Sequence, residues 1–147
     1  MKTFSFRLDS ILRYREYLEK KAMKNLFDAR YEYQGLEREI ERLAKKRSDT
    51  AGKCVDEGRE GMDVSKYQAY LLYRQKLNHD LNEAGKRLAG ADEKIKARKN
   101  MLKKESIKKK TLELFKDLQL EKYLKRVEKE EQKFLDDLVV VRRGGKK

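Results

Sequence analysis

The sequence predicts an all-α fold: a long antiparallel two-helix coiled-coil hairpin with unequal arms, in which the second helix is the longer. Two runs of apolar residues step by three and four along the chain, and one glycine-rich stretch separates them. The chain of 147 residues is 44% charged, only 38% hydrophobic and free of proline. This composition argues against a thick multilayer core and is typical of long helices or coiled coils. We expect a single coiled-coil domain over residues 1–147.

The first helix is predicted over about residues 6–51, after an extended start in which Phe4, Phe6 and Leu8 alternate with polar residues. Its seam, the line of residues expected to face the other helix, steps by three and four, with two successive fours around Ala22. Such an irregular step locally relaxes a supercoil. The predicted seam is Leu8, Ile11, Arg15, Leu18, Ala22, Leu26, Ala29, Tyr33, Leu36, Ile40, Leu43 and Arg47.

The bend is predicted at about residues 52–62, where three of the eight glycines fall within ten positions. Glycine is costly inside helices and adopts positive φ readily, so the chain can turn here. A second helix is predicted over about residues 63–141, and a disordered tail over 142–147. The seam predicted for the second helix is Tyr67, Tyr70, Arg74, Leu77, Leu81, Ala84, Leu88, Ala91, Ile95, Arg98 and Leu102.

The second helix is expected to extend beyond the start of the first helix, so that residues after about 115 have no partner within the chain. This C-terminal extension is nevertheless not polar all round. An apolar stripe without an intrachain partner implies another subunit, another protein or a fold-back, and the sequence leaves all three open. The apolar residues of the extension are Phe115, Leu118, Leu120, Tyr123, Leu124, Val127, Phe134, Leu135, Leu138 and Val141.

A second surplus of apolar residues lies in the segment YQAYLLYRQKL, residues 67–77. At 100° per residue, Tyr70 and Leu77 fall on the seam, Leu71 flanks it, and Leu72 points nearly the opposite way. The seam therefore does not account for Leu72. We predict a partner-binding patch beside the bend; the alternative is a broadened core covered by the first helix or the bend.

The net charge of +13 is concentrated in residues 86–110, which carry 11 basic and 3 acidic residues. A basic block of this kind is compatible with nucleic acid, anionic lipid or an acidic protein as partner, or with a solvated helix face. The lysine runs lack interleaved aromatic residues and no groove-reading module is visible, which disfavours specific recognition of nucleic acid.

Very little in the sequence resembles an active site. His79 is the sole histidine and Cys54 the sole cysteine, so neither has companions for metal binding or nucleophilic catalysis. The segment RSDTAGKC, residues 47–54, does not match a P-loop, which requires Gly first and Ser or Thr last. We predict no catalytic, cofactor-binding or metal site. No signal-peptide run or membrane-length apolar stretch is present, so we expect a cytoplasmic location.

Two segments resemble a known family. FSFRLDSILRYREYLEKKA, residues 4–22, resembles the opening of FliJ-type flagellar export proteins, which start with Phe-x-Phe-x-Leu and continue into a helix rich in Leu and Arg. YQAYLLYRQKL resembles the second signature of the family, a Tyr-Gln pair followed by aromatic and aliphatic residues. The resemblance covers the whole chain. It implies a non-enzymatic, chaperone-like stalk component of the flagellar type III protein export apparatus, peripherally associated with the inner-membrane base of the flagellum.

The resemblance also implies partners: the hexameric export ATPase, the cytoplasmic domain of the membrane export gate, and export chaperones, with no small-molecule substrate. The gate-binding row of the family carries over to Tyr70, Arg74, Leu77 and Leu81, although Arg74 replaces an apolar residue and Leu81 a His. The equivalent stalk of an injectisome, or a basic coiled coil that binds nucleic acid or anionic surfaces, is the alternative function. The predicted partner-binding residues are Phe4, Phe6, Tyr70, Leu71, Leu72, Arg74, Leu77, Leu81, Phe115, Leu118 and Tyr123.

Overall fold

A computed structural model of the chain describes residues 3–145, which form two long helices and, over that range, no strand. Helix α1 is Asp9–Glu60, with 52 residues, and helix α2 is Val64–Gly144, with 81 residues. The two helices pack against each other as an antiparallel hairpin, so the predicted fold class is confirmed. The second helix is also the longer one.

The bend is shorter than predicted and lies later in the chain. We expected the first helix to end near residue 51, but α1 runs through Gly52 and Gly58 to Glu60. Glycine lowers helix stability by only about 1 kcal/mol relative to alanine, which a long packed helix tolerates. The turn itself is made by Gly61, whose φ of 96° lies in the left-handed region that favours glycine.

Helix α2 begins directly after Asp63. The carbonyl oxygen of Asp63 accepts the first helical hydrogen bond, from the Tyr67 N–H at 3.1 Å. The Ser65 hydroxyl donates to the Asp63 carboxylate at 2.8 Å. Asp63 therefore occupies the N-cap position of α2.

Both outer boundaries also differ from the prediction. Residues 3–6 have no regular secondary structure, residues 7–8 form a turn, and α1 begins at Asp9 rather than near residue 6. At the other terminus, the predicted disordered tail is wrong for residues 142–144, because α2 continues to Gly144. Arg142 and Arg143 lie in its last turn, where positive charge interacts favourably with the helix dipole. The last two residues of the predicted tail lie outside the described residues.

The chain divides into two compact units, each with its own packing between α1 and α2. Unit 1 combines the N-terminal residues through Lys20 with the residues from Lys103 onward, and unit 2 is Lys21–Leu102. The expectation of one domain for the whole chain stays a prediction.

Unit 2 has an apolar seam. Leu43, Leu77 and Ala84 form a buried cluster, against which Ile40 and Leu81 pack. Small alanine side chains at seam positions let two helices approach closely. Every buried residue of this unit belongs to the predicted seam: Ala22, Leu26, Ala29, Leu43, Leu77, Ala84 and Ala91.

In unit 1, the residue buried in the first turns of α1 differs from the one predicted for the seam. Ile11, a predicted seam residue, is 44% exposed, whereas Leu12 is only 5% exposed. Counting from Leu12, steps of three and four lead through Arg15 and Glu19 to Ala22 without the irregular step expected there. Glu19 is half-buried, so a charged residue occupies a seam position that apolar spacing does not reveal.

Candidate functional site

A cavity of about 460 Å³ lies beside the bend in unit 2, between the last turns of α1 and the first turns of α2. The segment YQAYLLYRQKL supplies one wall and the region preceding the bend supplies the other. The lining is mixed, with aromatic and aliphatic groups next to two guanidinium groups, which suits contact with a protein surface better than catalysis. Its lining residues include Arg47, Ala51, Cys54, Tyr67, Tyr70, Leu71 and Arg74.

The structure separates the predicted bend-side residues into two kinds. Leu77 is 3% exposed and belongs to the core, with Leu81 packed against the same cluster. Leu72 is 66% exposed, as the helical angle predicted, and Leu71 is also exposed. Leu71 lines the cavity, and Leu72 and Tyr73 follow it along α2 with exposed side chains. We call these three consecutive residues the bend patch.

An ion pair connects the last turn of α1 with the first turn of α2 across the bend. The Lys66 ammonium lies 2.9 Å from the Glu57 carboxylate. Hydrogen bonds donated by Lys66 and by the Tyr70 hydroxyl lower the pKa of the Glu57 carboxyl. Donating this hydrogen bond to Glu57 raises the pKa of the Tyr70 hydroxyl. Sequence reasoning missed this group; the available signal was an acid and a base placed almost symmetrically about Gly61.

In unit 1, the N-terminal segment packs its aromatic residues on α2. The Phe6 ring lies 5.9 Å from the Phe115 ring, and the Phe4 ring lies 5.5 Å from the Tyr123 ring, both in tilted geometry. The Lys116 ammonium lies 6.0 Å from the centre of the Phe6 ring. Four predicted partner-binding residues are therefore brought together, and we call these four rings the aromatic clasp.

Three interhelical ion pairs, which we call the charged seam, follow the aromatic clasp along unit 1. The distances are 3.4 Å between Asp9 and Lys116, 3.8 Å between Arg15 and Glu105, and 2.8 Å between Glu19 and Lys109. All six side chains are at least partly shielded from solvent. The packing of unit 1 thus combines aromatic contacts with paired charges, where sequence reasoning anticipated only Arg15 at a seam position.

Beyond the aromatic clasp, α2 continues over residues 124–144, which we call the overhang, and no other segment of the described chain covers it. Apart from the half-buried Val127, every residue of the overhang is exposed. Its apolar residues nevertheless include Leu124, Phe134, Leu138 and Val141. Leu118, the remaining predicted residue of this region, is exposed just before the overhang. The predicted extension is thus present as helix, but its start near residue 115 was predicted too early. Phe115 and Tyr123 pack on Phe6 and Phe4, so the uncovered part begins only after Tyr123.

The comparison with family models matches residues 4–146 to the flagellar FliJ protein family. The chain belongs to the flagellar FliJ protein family. This confirms the resemblance drawn from the N-terminal and post-bend segments, and it makes the chain a component of flagellar protein export and flagellum biogenesis. Searches among curated proteins and among solved structures found no match to the chain.

Two further observations bear on how this FliJ family member works. Among residues 3–145, no helix is long and apolar enough to cross a membrane, and no cluster of His, Cys, Asp or Glu suits a metal ion. Part of the basic block is engaged within the chain, through Arg87 with Glu39, Lys94 with Glu32, and the Glu19–Lys109 pair of the charged seam.

Proposed function

We propose that this chain is a non-enzymatic stalk-type component of the flagellar export apparatus that binds two partners, the export ATPase ring and the cytoplasmic domain of the export gate. The observation that carries the proposal is the exposed apolar surface on a chain of this family: the overhang and the bend patch. Exposed apolar groups of this extent are unfavourable in water unless a partner covers them.

The overhang is proposed to meet the ATPase ring. A single amphipathic helix fits a groove or a ring lumen, and it buries its apolar face when it enters. The described part of the chain offers nothing that covers Leu124, Phe134 or Leu138. Any energy for transport would come from ATP hydrolysed by the partner, since residues 3–145 present no enclosed set of catalytic groups.

The bend patch and the adjoining cavity are proposed to meet the export gate. Leu71, Leu72 and Tyr73 supply the apolar contact, and Arg74 at the cavity edge supplies a charged anchor. Aromatic residues and arginine are enriched where protein interfaces gain most of their binding energy. Leu77 and Leu81 hold this part of α2 on α1 and contribute to the site through the fold. Export chaperones are a further proposed partner, and the place of action is proposed to be the cytoplasmic base of the flagellum.

The test combines two binding assays with a motility assay. The Leu124→Asp/Phe134→Asp variant should abolish stimulation of the export ATPase while keeping affinity for the gate domain. Leu71→Asp/Leu72→Asp should do the reverse, and both variants should fail to restore swimming in a strain lacking the gene. Phe27→Asp is the matched control, because Phe27 is 68% exposed on α1 and belongs to neither surface. If the wild-type chain neither stimulates the ATPase nor binds the gate domain, the proposal is wrong.

A further inference from the structure

The apolar residues of the overhang and the turn before it follow a regular coiled-coil spacing. Successive steps of four and three connect them, and Glu131 occupies the one position between Val127 and Phe134 that would otherwise be apolar. A spacing that averages 3.5 residues marks a face built to pair with another helix. We call this face the overhang stripe: Leu120, Leu124, Val127, Phe134, Leu138 and Val141.

Acidic and basic residues occupy different positions around the overhang stripe. The positions that flank a stripe in a helix pair are those that face the flanks of the partner. Here the flanking acids are Glu121, Glu128, Glu130 and Asp137, and Arg142 is the one flanking base. The face turned away from the stripe is rich in bases instead, namely Lys122, Lys125, Arg126, Lys129 and Lys133.

The acids flanking the stripe are largely available for a partner. Within the described residues, Lys125 pairs with Glu121 at 2.9 Å, but Glu128, Glu130 and Asp137 make no ion pair. All three are exposed. A helix that covers the stripe therefore meets a contact face with negative charge, although the chain as a whole carries +13.

This charge pattern disfavours a second copy of the overhang as the occupant. A second copy presents the same acids, and parallel pairing in register places Glu131 against its own counterpart within the apolar face. Like charges at facing positions oppose pairing, whereas opposite charges there select the partner.

We propose that the overhang stripe docks an amphipathic helix of another protein whose own apolar stripe is flanked by lysine and arginine. The inference deepens the proposed function by naming the chemistry of the partner segment, and it rests on the proposal that the overhang binds another protein. It differs from what net charge alone would favour, which is an acidic partner.

The test uses the full chain and two synthetic helical peptides that share one Leu/Ile stripe and differ only in having Lys or Glu at the flanking positions. Binding is measured by fluorescence anisotropy at moderate salt. The Lys-flanked peptide should bind about tenfold more tightly, since several exposed charge pairs each contribute a few tenths of a kcal/mol. Equal affinities, no binding of either peptide, or a preference for the Glu-flanked peptide would each overturn the proposal.

Charge-reversal variants distinguish the effect of the charges beside the overhang stripe from the effect of the net charge of the chain. Glu128→Lys/Glu130→Lys/Asp137→Lys should reverse the preference, although it makes the chain still more basic. Lys122→Glu/Lys125→Glu/Lys129→Glu, on the face turned away from the stripe, should keep the wild-type preference. Leu124→Asp/Phe134→Asp should bind neither peptide, and circular dichroism checks that each variant keeps its helix content.

Two further readouts distinguish competing explanations. Sedimentation equilibrium that finds a dimer lost in Leu124→Asp/Phe134→Asp would identify a second copy as the occupant and overturn the inference. ATPase stimulation by the wild-type chain without the peptide preference would leave the proposed function intact and remove only this inference. The peptide preference without any ATPase stimulation would remove the proposed ring partner and keep the inference.

Discussion

Glu19 of α1 and Lys109 of α2 form an ion pair of 2.8 Å within the seam of unit 1, although the two residues lie 90 positions apart in the chain. Their side chains are 14% and 22% exposed, respectively. A charged pair shielded to this degree favours the register in which both partners meet, because any slip leaves a partly desolvated charge unpaired. The charged seam therefore favours one alignment of α1 and α2 in unit 1, in addition to the contacts of the aromatic clasp.

The pH dependence of stability should report the Glu19–Lys109 pair. The hydrogen bond from Lys109 holds the pKa of Glu19 below its ordinary value of 4.5. A carboxyl group whose pKa is lower in the folded state stabilises the fold above its unfolded pKa, and this contribution is lost as the pH falls through the folded pKa. Between about pH 6 and about pH 3, the free energy of unfolding should fall less steeply for Glu19→Gln than for the wild type. Urea denaturation at a series of pH values measures this slope.

The matched control for that experiment is Glu41→Gln, because Glu41 is an exposed residue on the same helix. It should keep the wild-type slope. The same pair predicts an alkaline effect, because Glu19 raises the pKa of Lys109 above its ordinary value of 10.5. That contribution is present below the unfolded pKa and lost as the pH rises through the folded one. Identical acid slopes for the wild type and Glu19→Gln would show that the pair has no energetic role.

Truncation of two leucines of the post-bend segment should destabilise the chain to very different extents. Leu77→Ala removes a buried side chain from the apolar seam of unit 2, and it should lower the free energy of unfolding by about 2–5 kcal/mol. Leu72→Ala changes an exposed side chain, and its effect should stay within about 0.5 kcal/mol. Denaturant titration of both variants tests the assignment. A small effect of Leu77→Ala would mean that this leucine is not a core residue.

Two glycines near the bend should respond oppositely. Gly61→Ala forces a side chain into a positive φ of 96° and should destabilise the chain by about 1 kcal/mol. Gly58→Ala lies within α1, where alanine is the better helix former, and should stabilise it by about 0.5–1 kcal/mol. A side-chain methyl meets no neighbouring atom at either position, so backbone conformation alone decides the sign. Thermal unfolding followed by circular dichroism measures both.

The apolar seam of unit 2 could be predicted because its signal is local and periodic. Ala84 and Ala91 are buried at the positions that steps of three and four assign to them. The position of the bend could not be predicted as well, because three glycines in one stretch all signal a turn. Only the backbone angle of Gly61 distinguishes the residue that turns from Gly52 and Gly58, which continue the helix.

The ion pairs of the charged seam could not be predicted from the sequence for a different reason. A glutamate or lysine within a helix is assigned to the solvent face by default, so apolar spacing carries no signal that Glu19 or Lys109 lies in a seam. Their pairing depends on which turns of α1 and α2 lie side by side, and that register is a property of the packed helices. The exposed Leu72, in contrast, follows from the helical angle alone and was predicted correctly.

The aromatic clasp predicts how the N-terminal segment is held on α2. Phe6 is the one buried residue among residues 3–8, so Phe6→Ala should release this segment and lower the free energy of unfolding of unit 1 by about 3 kcal/mol. Hydrogen exchange should then speed up from the N-terminal segment through the first turns of α1, while exchange around Leu43 and Ala84 in unit 2 stays unchanged. Phe27→Ala, which truncates an exposed phenylalanine, is the control and should leave both regions as they are. Unaltered exchange in Phe6→Ala would show that the charged seam holds the segment without the clasp, since the Asp9–Lys116 pair follows directly after it.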